Sequence, residues 1–261
     1  VTTTTGTTAR ETARAEFDAW RAARTAELSK PHGWLSLTSL HWLVGDPAPV
    51  EGLPGTWGSV PGGVVVTAAA ADGVVVEGSP VEGTVTVPTV EGAPGRLVEV
   101  GDLRVEVIQR TGSHALRVRD PQAPALAAFT GVPVFDFSDD YVLDAEFEPF
   151  ESSRAAVVGA VKDGLEHHYE AVGVVRFELD GPQQLTVFRG GTVLFTDATS
   201  GVTTTGTTRS VKVPETPGRF VLDLNRTQNL PCAFTDHATC PIPPAENRLT
   251  VPVAAGEKDP R

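Results

Sequence analysis

The sequence predicts a mostly-β fold, an antiparallel barrel or sandwich preceded by one amphipathic helix. Three observations carry this. From Trp34 onward, short Val-, Leu-, Thr- and Phe-rich runs recur, each broken by Gly or Pro. No helical-period segments alternate with them, as a parallel sheet with crossover helices would require. At 261 residues the chain has the size that barrels and sandwiches reach as one unit. No composition break demands a second domain. The expected organisation is a tail over 1–8 and a single β-rich domain over 9–261.

Residues 1–8 are threonine-rich and read as a disordered tail. Thr8 and Glu11 form a capping-box pattern, so a helix is expected over 9–29. Ala9, Ala13, Phe17, Trp20 and Leu28 share one face, and Pro31 stops the helix. The stripe is modest, which suits packing outside a sheet. Trp20, Trp34, Trp42 and Trp57 are expected to seal that helix against the strands.

The barrel or sandwich is expected over 34–261. Its strand candidates are Val64–Thr67, Val74–Glu77, Thr84–Val87, Arg96–Val100, Leu103–Arg110 and His114–Val118. Tyr141–Phe147, Ala155–Val161, His168–Glu178, Leu185–Phe188, Thr192–Thr196, Phe220–Leu224 and Leu249–Val253 follow. Asp72-Gly73, Gly181-Pro182 and Gly190-Gly191 are hairpin-turn candidates. The string Thr-Thr-Thr-Gly-Thr-Thr occurs at Thr3–Thr8 and Thr203–Thr208, but has no sustained period and defines no repeat architecture.

The net charge of −12 and the lack of long basic runs argue against nucleic acid and anionic membranes as partners. No apolar run approaches the ~20 residues of a membrane-spanning helix. The first residues lack the basic start and apolar core of a secretory signal, and a Val start fits removal of an initiator methionine. A cytoplasmic location is therefore expected. Scarce lysine, absent methionine and abundant Ala, Val, Gly and Pro suggest a GC-rich bacterial genome.

The serine-hydrolase elbow, the P-loop, the dinucleotide glycine motif and the His-Glu-x-x-His helix are all missing. Chemistry would then come from side chains scattered over strands. The densest polar stretch runs from Phe220 to Leu249 and holds both cysteines and a triple-proline run. Cys232, His237 and Cys240, with Asp236 as a fourth ligand, give an unusual spacing for zinc. As a nucleophile Cys232 would need a nearby base, for which His237 is the neighbour in sequence. The structural alternative is a pair of buried thiols, or a disulfide closing a proline-rich loop.

Glu166, His168 and Glu170 would share one strand face, opposite His167 and Tyr169. That face could hold a divalent metal, or be the solvated side of an edge strand. Asp136, Asp139 and Asp140 fit a turn or helix cap better than a calcium loop.

The principal candidates for ligand binding are Asp197 and Thr199, Arg209 in the following loop, and Asp223, Asn225 and Asn229 in Leu-Asp-Leu-Asn-Arg-Thr-Gln-Asn. In a strand Asp223 and Asn225 share a face. With Arg209 they could orient a small polar ligand carrying a carboxylate or phosphate. The alternative is a buried network joining Arg209 to Asp223 or Asp197 that fixes the C-terminal loop.

Four signatures resemble the domain of unknown function 1684 family of uncharacterised bacterial and archaeal proteins. They are His-Gly-Trp-Leu-Ser-Leu-Thr-Ser-Leu-His-Trp-Leu at His32–Leu43, Leu-Arg-Val-Arg-Asp at Leu116–Asp120 with the stretch following it, and Leu-Phe-Thr-Asp-Ala-Thr-Ser-Gly-Val-Thr-Thr at Leu194–Thr204. The fourth is Phe220–Leu249, ending in Asn-Arg-Leu, with Ala-Ala-Gly-Glu at Ala254–Glu257. The likeness spans about residues 17–257 and implies a shared fold but no activity. Such relatives carry an aromatic residue after Asp-Ala-Thr-Ser-Gly, then a glycine-rich turn and an arginine. Here Thr204 or Thr205 stands near the aromatic position and Arg209 is kept. They also often carry an aromatic at the position of His237.

The leading expectation is a protein that binds a small polar molecule in or at the mouth of a barrel. A hydrolase using the same cavity, with Asp223 as general base and Cys232 or His237 as a lesser participant, is the second. An assembly protein without a ligand is the third. No residue points to flavin or haem, so no cofactor is expected, and the oligomeric state is open.

Overall fold

The computed structural model describes residues 4–261, and side chains from residue 12 onward. Helix α1 spans Thr4–Leu28, so the expected tail is helical from residue 4, and residues 1–3 lie outside the described ones. The Thr8–Glu11 pattern falls within the helix, its side chains outside those described. Phe17 and Leu28 are buried on the expected face. Among the described residues no helix is long and apolar enough to cross a membrane.

Nine strands follow in the first half: β1 Leu37–Trp42, β2 Thr56–Val60, β3 Gly63–Ala68, β4 Val74–Val76, β5 Ser79–Pro80, β6 Gly83–Pro88, β7 Arg96–Val100, β8 Leu103–Arg110 and β9 Ser113–Arg119. They form two antiparallel sheets, ordered β1-β9-β8-β7-β4-β5 and β2-β3-β6. Trp57, Val64, Val66, Val98, Val105 and Leu116 meet in a core belonging to this half.

The second half builds one antiparallel sheet from β10 Val142–Gly159, β11 Glu166–Glu178, β12 Pro182–Phe188, β13 Thr192–Phe195, β14 Arg209–Lys212, β15 Gly218–Asp223 and β16 Gln228–Asn229. Its order is β15-β10-β11-β12-β13-β14-β16, and it is open, with β15 and β16 at its edges. Alternate residues (Phe147, Val175, Leu185, Phe195, Val211, Leu222) line one face. Leu249, Val253 and Ala255 lie against that face, so the C-terminal segment acts as a strap over the second core.

Several expectations shift for local reasons. Tyr141–Phe147 and Ala155–Val161 join into β10, because the intervening Pro- and Ser-containing stretch is absorbed where the register slips between Pro149 and Arg154. Leu249–Val253 is not a strand. Backbone hydrogen bonds to Thr196 and Ala198 stop at Val251; beyond it the Val253 N–H is taken by the Asp197 carboxylate at 3.0 Å and that of Ala254 by the Tyr141 hydroxyl at 3.1 Å, so side chains end the ladder. Asp72-Gly73 joins strands of different sheets and makes no hairpin. Gly190 and Gly191, at φ 82° and 65°, do form the tight β12–β13 turn.

The tryptophans do not gather around α1. Trp57 is buried in the first core, and the Trp34 ring lies near the guanidinium carbons of Arg117 and Arg119, 5.6 and 4.9 Å from its centroid. The helix packs on the second half instead, with Phe17 against Phe137 and Glu16 paired with Arg226.

Candidate functional site

Arg209 opens β14 in phase with Val211, so the period of two turns it toward the core. Its register partner on β13 is Phe195, and the guanidinium lies 5.5 Å from that ring centroid. Arg209 Nη2 donates to Asp197 Oδ2 at 2.7 Å and to the Val253 carbonyl at 2.8 Å, while Nη1 donates to the Ala255 carbonyl at 2.7 Å. Asp197 Oδ1 accepts from the Thr199 amide and hydroxyl and from the Val253 amide. Both side chains of the Arg209–Asp197 pair are 0% exposed. Burial pushes the Arg209 guanidinium below its ordinary value, and Asp197 opposes the shift. The expected network between Arg209 and Asp197 is therefore present, and it ties the strap to the sheet.

Asp223 is not part of it. The strand ends at this residue, and Leu224–Arg226 turns as a 3-10 helix with Asp223 as its cap. Asp223 Oδ1 accepts from the Asn225 amide at 3.0 Å and from Asn225 Nδ2 at 2.9 Å, and Oδ2 pairs with Arg226 Nε at 3.1 Å. Asn225 then exchanges hydrogen bonds with the Ser138 backbone. Asp223 and Asn225 thus do not continue one strand face with Arg209. Both Asp223 oxygens are engaged, which leaves the proposed general base in a capping role.

Asn229 lies beside Arg209 in the β14–β16 register and joins a different lock. Its backbone N–H donates to Glu257 Oε2 at 2.7 Å, and Glu257 Oε1 accepts from Arg24 Nε of α1 at 2.7 Å. Gly256, at φ 74°, lets the strap pass so close to Thr227 that a Cβ would sit 2.3 Å from the Thr227 carbonyl oxygen. Sequence reasoning placed Glu257 in a signature but missed its role. It also missed Asn247, fully buried, whose amide clamps the backbone of Thr186 and Leu194. Neither residue shows periodicity that would have flagged it.

Beside the Asp197 end of the lock lies a cleft of about 400 Å³, walled by Thr196, Ser200, Thr207, Thr208, Ile242 and Arg248 among others. Arg248 is exposed, and among the described residues its guanidinium has no hydrogen bond or ion pair. Thr204, near the position where relatives carry an aromatic, is fully buried with its hydroxyl 2.9 Å from that of Thr199.

Cys232 and Cys240 are both free and buried. His237 and Asp236 do not join them: the His237 amide donates to the Thr235 hydroxyl, and Asp236 pairs with Arg261. Among the described residues no group of three or more His, Cys, Asp or Glu side chains could hold a metal, so the zinc alternative is not assembled. On β11, Glu166 and His168 face outward while His167 and Tyr169 are half-buried, as alternation requires. β11 is an interior strand rather than an edge, and Glu170 is held by Arg189, which lowers its carboxyl to about 2. Asp139–Tyr141 is a 3-10 turn capped by Ser138.

Burial lowers the imidazoles of His114, His167 and His237 below the ordinary value of 6.5, with Glu91, the Thr239 carbonyl and Asp236 respectively opposing the shift. A lowered folded-state value means that the unfolded chain binds protons first as pH falls. Stability is therefore expected to be full above about 6.5 and to decline as pH drops below it. Glu170 titrates far below that window. Urea denaturation on either side of about pH 6.5 checks this; stability that rises on acidification into the window would contradict it.

These features define a mostly-β protein whose polar centre is a buried arginine–carboxylate lock beside a hydroxyl-walled cleft. A family model described as Protein of unknown function (DUF1684) matches residues 127–258, just over half of the 261 residues, and the chain belongs to that family. The matched span holds the seven-stranded sheet, the Arg209–Asp197 lock and Glu257, whereas Arg24 and the His32–Leu43 and Leu116–Asp120 signatures lie outside it. The chain is also similar to an uncharacterized protein from gene locus rrnAC0354 of Haloarcula marismortui, solved by solution NMR. Identity is 28%, coverage is 51% of this chain and 78% of that one, and the TM-score is 0.42. No protein of curated function matches the chain.

Proposed function

We propose that the protein binds a small anionic molecule, a carboxylate or phosphate, in the cleft walled by Thr207, Thr208, Ile242 and Arg248. The observation that carries this is the unpartnered Arg248 guanidinium at the cleft. Asp197 also borders the cleft, but Arg209 neutralises its charge, which leaves Arg248 as the cleft's uncompensated charge. A guanidinium suits carboxylate and phosphate oxygens because its fork can bind two at once. Asp197 borders the cleft and is held in place by the Thr199 hydroxyl and the Arg209 guanidinium.

Native mass spectrometry beside the denatured mass, on protein purified without added ligand, is the first test. A titration with inorganic phosphate and with acetate, followed by thermal shift, is the second. Arg248→Ala should abolish the response while changing stability by no more than about 0.5 kcal/mol, as expected for an exposed side chain. A bare native mass with no response to either anion, or an unchanged response in the variant, would reject this function.

A further inference from the structure

The cysteines lie in a loop that the rest of the protein holds firmly. Thr239, next to Cys240, accepts from Arg117 Nη2 at 2.7 Å through its hydroxyl, and its carbonyl accepts from His167 Nε2. At the other end Arg261 donates to the Ala233 carbonyl at 3.0 Å. Within this frame the Cys232 amide donates to Cys240 Sγ at 3.2 Å, so the Cys240 sulfur sits against the residue that carries the other thiol. Both side chains lie in one small apolar cluster, with Val161, Leu230 and Ala238 packed around them.

We infer that Cys232 and Cys240 are a redox pair, with Cys232 the thiol that reacts with a hydroperoxide and Cys240 the thiol that resolves it into an intramolecular disulfide. The geometry separates the roles. Cys232 Sγ lies 3.4 Å from the Thr207 hydroxyl, and Thr207 lines the cleft of about 400 Å³, so a small oxidant entering the cleft is one hydroxyl away from the sulfur. Cys240 lies behind it, against Arg117 and Thr239. The neighbouring Cys240, with Thr207 and the charge of Arg261, holds the Cys232 thiol low, at about 7, against the opposing effect of burial, while the neighbouring Cys232 and burial push Cys240 up. The thiolate is the reactive form, so this ordering matches the geometric one.

The chemistry balances without a metal or cofactor. With hydrogen peroxide as oxidant, the Cys232 thiolate attacks one peroxide oxygen, the O–O bond breaks, and the departing oxygen leaves as water after taking a proton; an organic hydroperoxide releases its alcohol instead. Cys232 becomes a sulfenic acid, oxidised by two electrons as the peroxide is reduced. The Cys240 sulfur then attacks Cys232 Sγ, the S–S bond forms, and the sulfenic oxygen leaves with the Cys240 proton as a second water. An external thiol reductant restores both thiols by exchange.

The test uses the whole chain, reduced and then exposed to hydrogen peroxide, denatured with an alkylating agent and weighed intact. The wild type should lose both alkylation sites, become lighter by two hydrogens, stay monomeric on a non-reducing gel and recover both sites with dithiothreitol. In Cys240→Ser, Cys232 should be trapped as a sulfenic acid by dimedone; in Cys232→Ser, Cys240 should stay alkylatable. Peroxide-treated wild type that keeps two alkylatable thiols, forms only intermolecular disulfides, or accumulates sulfinic acid on Cys232 with Cys240 still free overturns the pair. Reaction of Cys232→Ser at the wild-type rate overturns the assignment of roles. The wild-type arm holds even if a serine variant fails to fold.

Discussion

Arg209→Ala is expected to destabilise the protein by about 3–5 kcal/mol, the cost of removing one partner from a buried ion pair. The loss is large because the guanidinium does more than pair with Asp197. It also satisfies the Val253 and Ala255 carbonyls, which the variant leaves unpaired under the strap. Against a total stability of about 5–15 kcal/mol typical of a domain, the variant should be marginally folded or unfolded. Arg209→Lys should recover only part of the loss, since an ammonium cannot reproduce the fork that reaches a carboxylate and two carbonyls of the strap. Urea denaturation measures both. An Arg209→Ala protein as stable as the wild type but unable to bind anions would move Arg209 from the frame of the cleft to its ligand.

Glu257→Ala should cost about 3 kcal/mol, equivalent to a fall of roughly 10 °C in the melting midpoint for a chain of this size. Glu257 is 0% exposed and Arg24 14%, so water screens the pair little. Without the carboxylate, the Asn229 N–H and Arg24 Nε lose their acceptor together, and Arg24 keeps only the Asn229 carbonyl. The helix, held also by Phe17 against Phe137, should then loosen at its C-terminal end near Arg24. Hydrogen exchange over residues 17–28 would register this as faster exchange than in the wild type; unchanged protection there would mean that the apolar contacts alone hold α1.

How much of this was legible in the sequence depended on whether the signal was periodic. Arg96–Val100 and Leu103–Arg110 were read residue for residue because alternating side chains and a tight turn bound them on both sides. β14 was missed because its four residues open on a buried arginine, and an apolar count does not see a strand there. The pairing of Arg209 with Asp197 was open to sequence reasoning as one of two options, and strand register decided between them. Asp223 looked like its equal. The chain turns into a 3-10 helix after that residue, and a capping Asp and an inward Asp are the same letter until the backbone is known. Arg248 was passed over because its value lies in lacking a partner, which only the folded surroundings reveal. The cysteines were read as neighbours in a loop, but which thiol faces the cleft depends on Thr207, twenty-five positions away.

The pairing of Arg24 with Glu257 joins residues 233 positions apart. Its consequence is one of timing. The loop-closure entropy of so distant a contact must be met before the contact gives anything back, and the strap can only settle on a sheet whose strands have already assembled. Docking of α1 onto the strap thus belongs on the native side of the folding barrier. A lock made there governs how long the folded molecule persists rather than how fast it is reached, so the loss in Glu257→Ala should fall mainly on the unfolding rate.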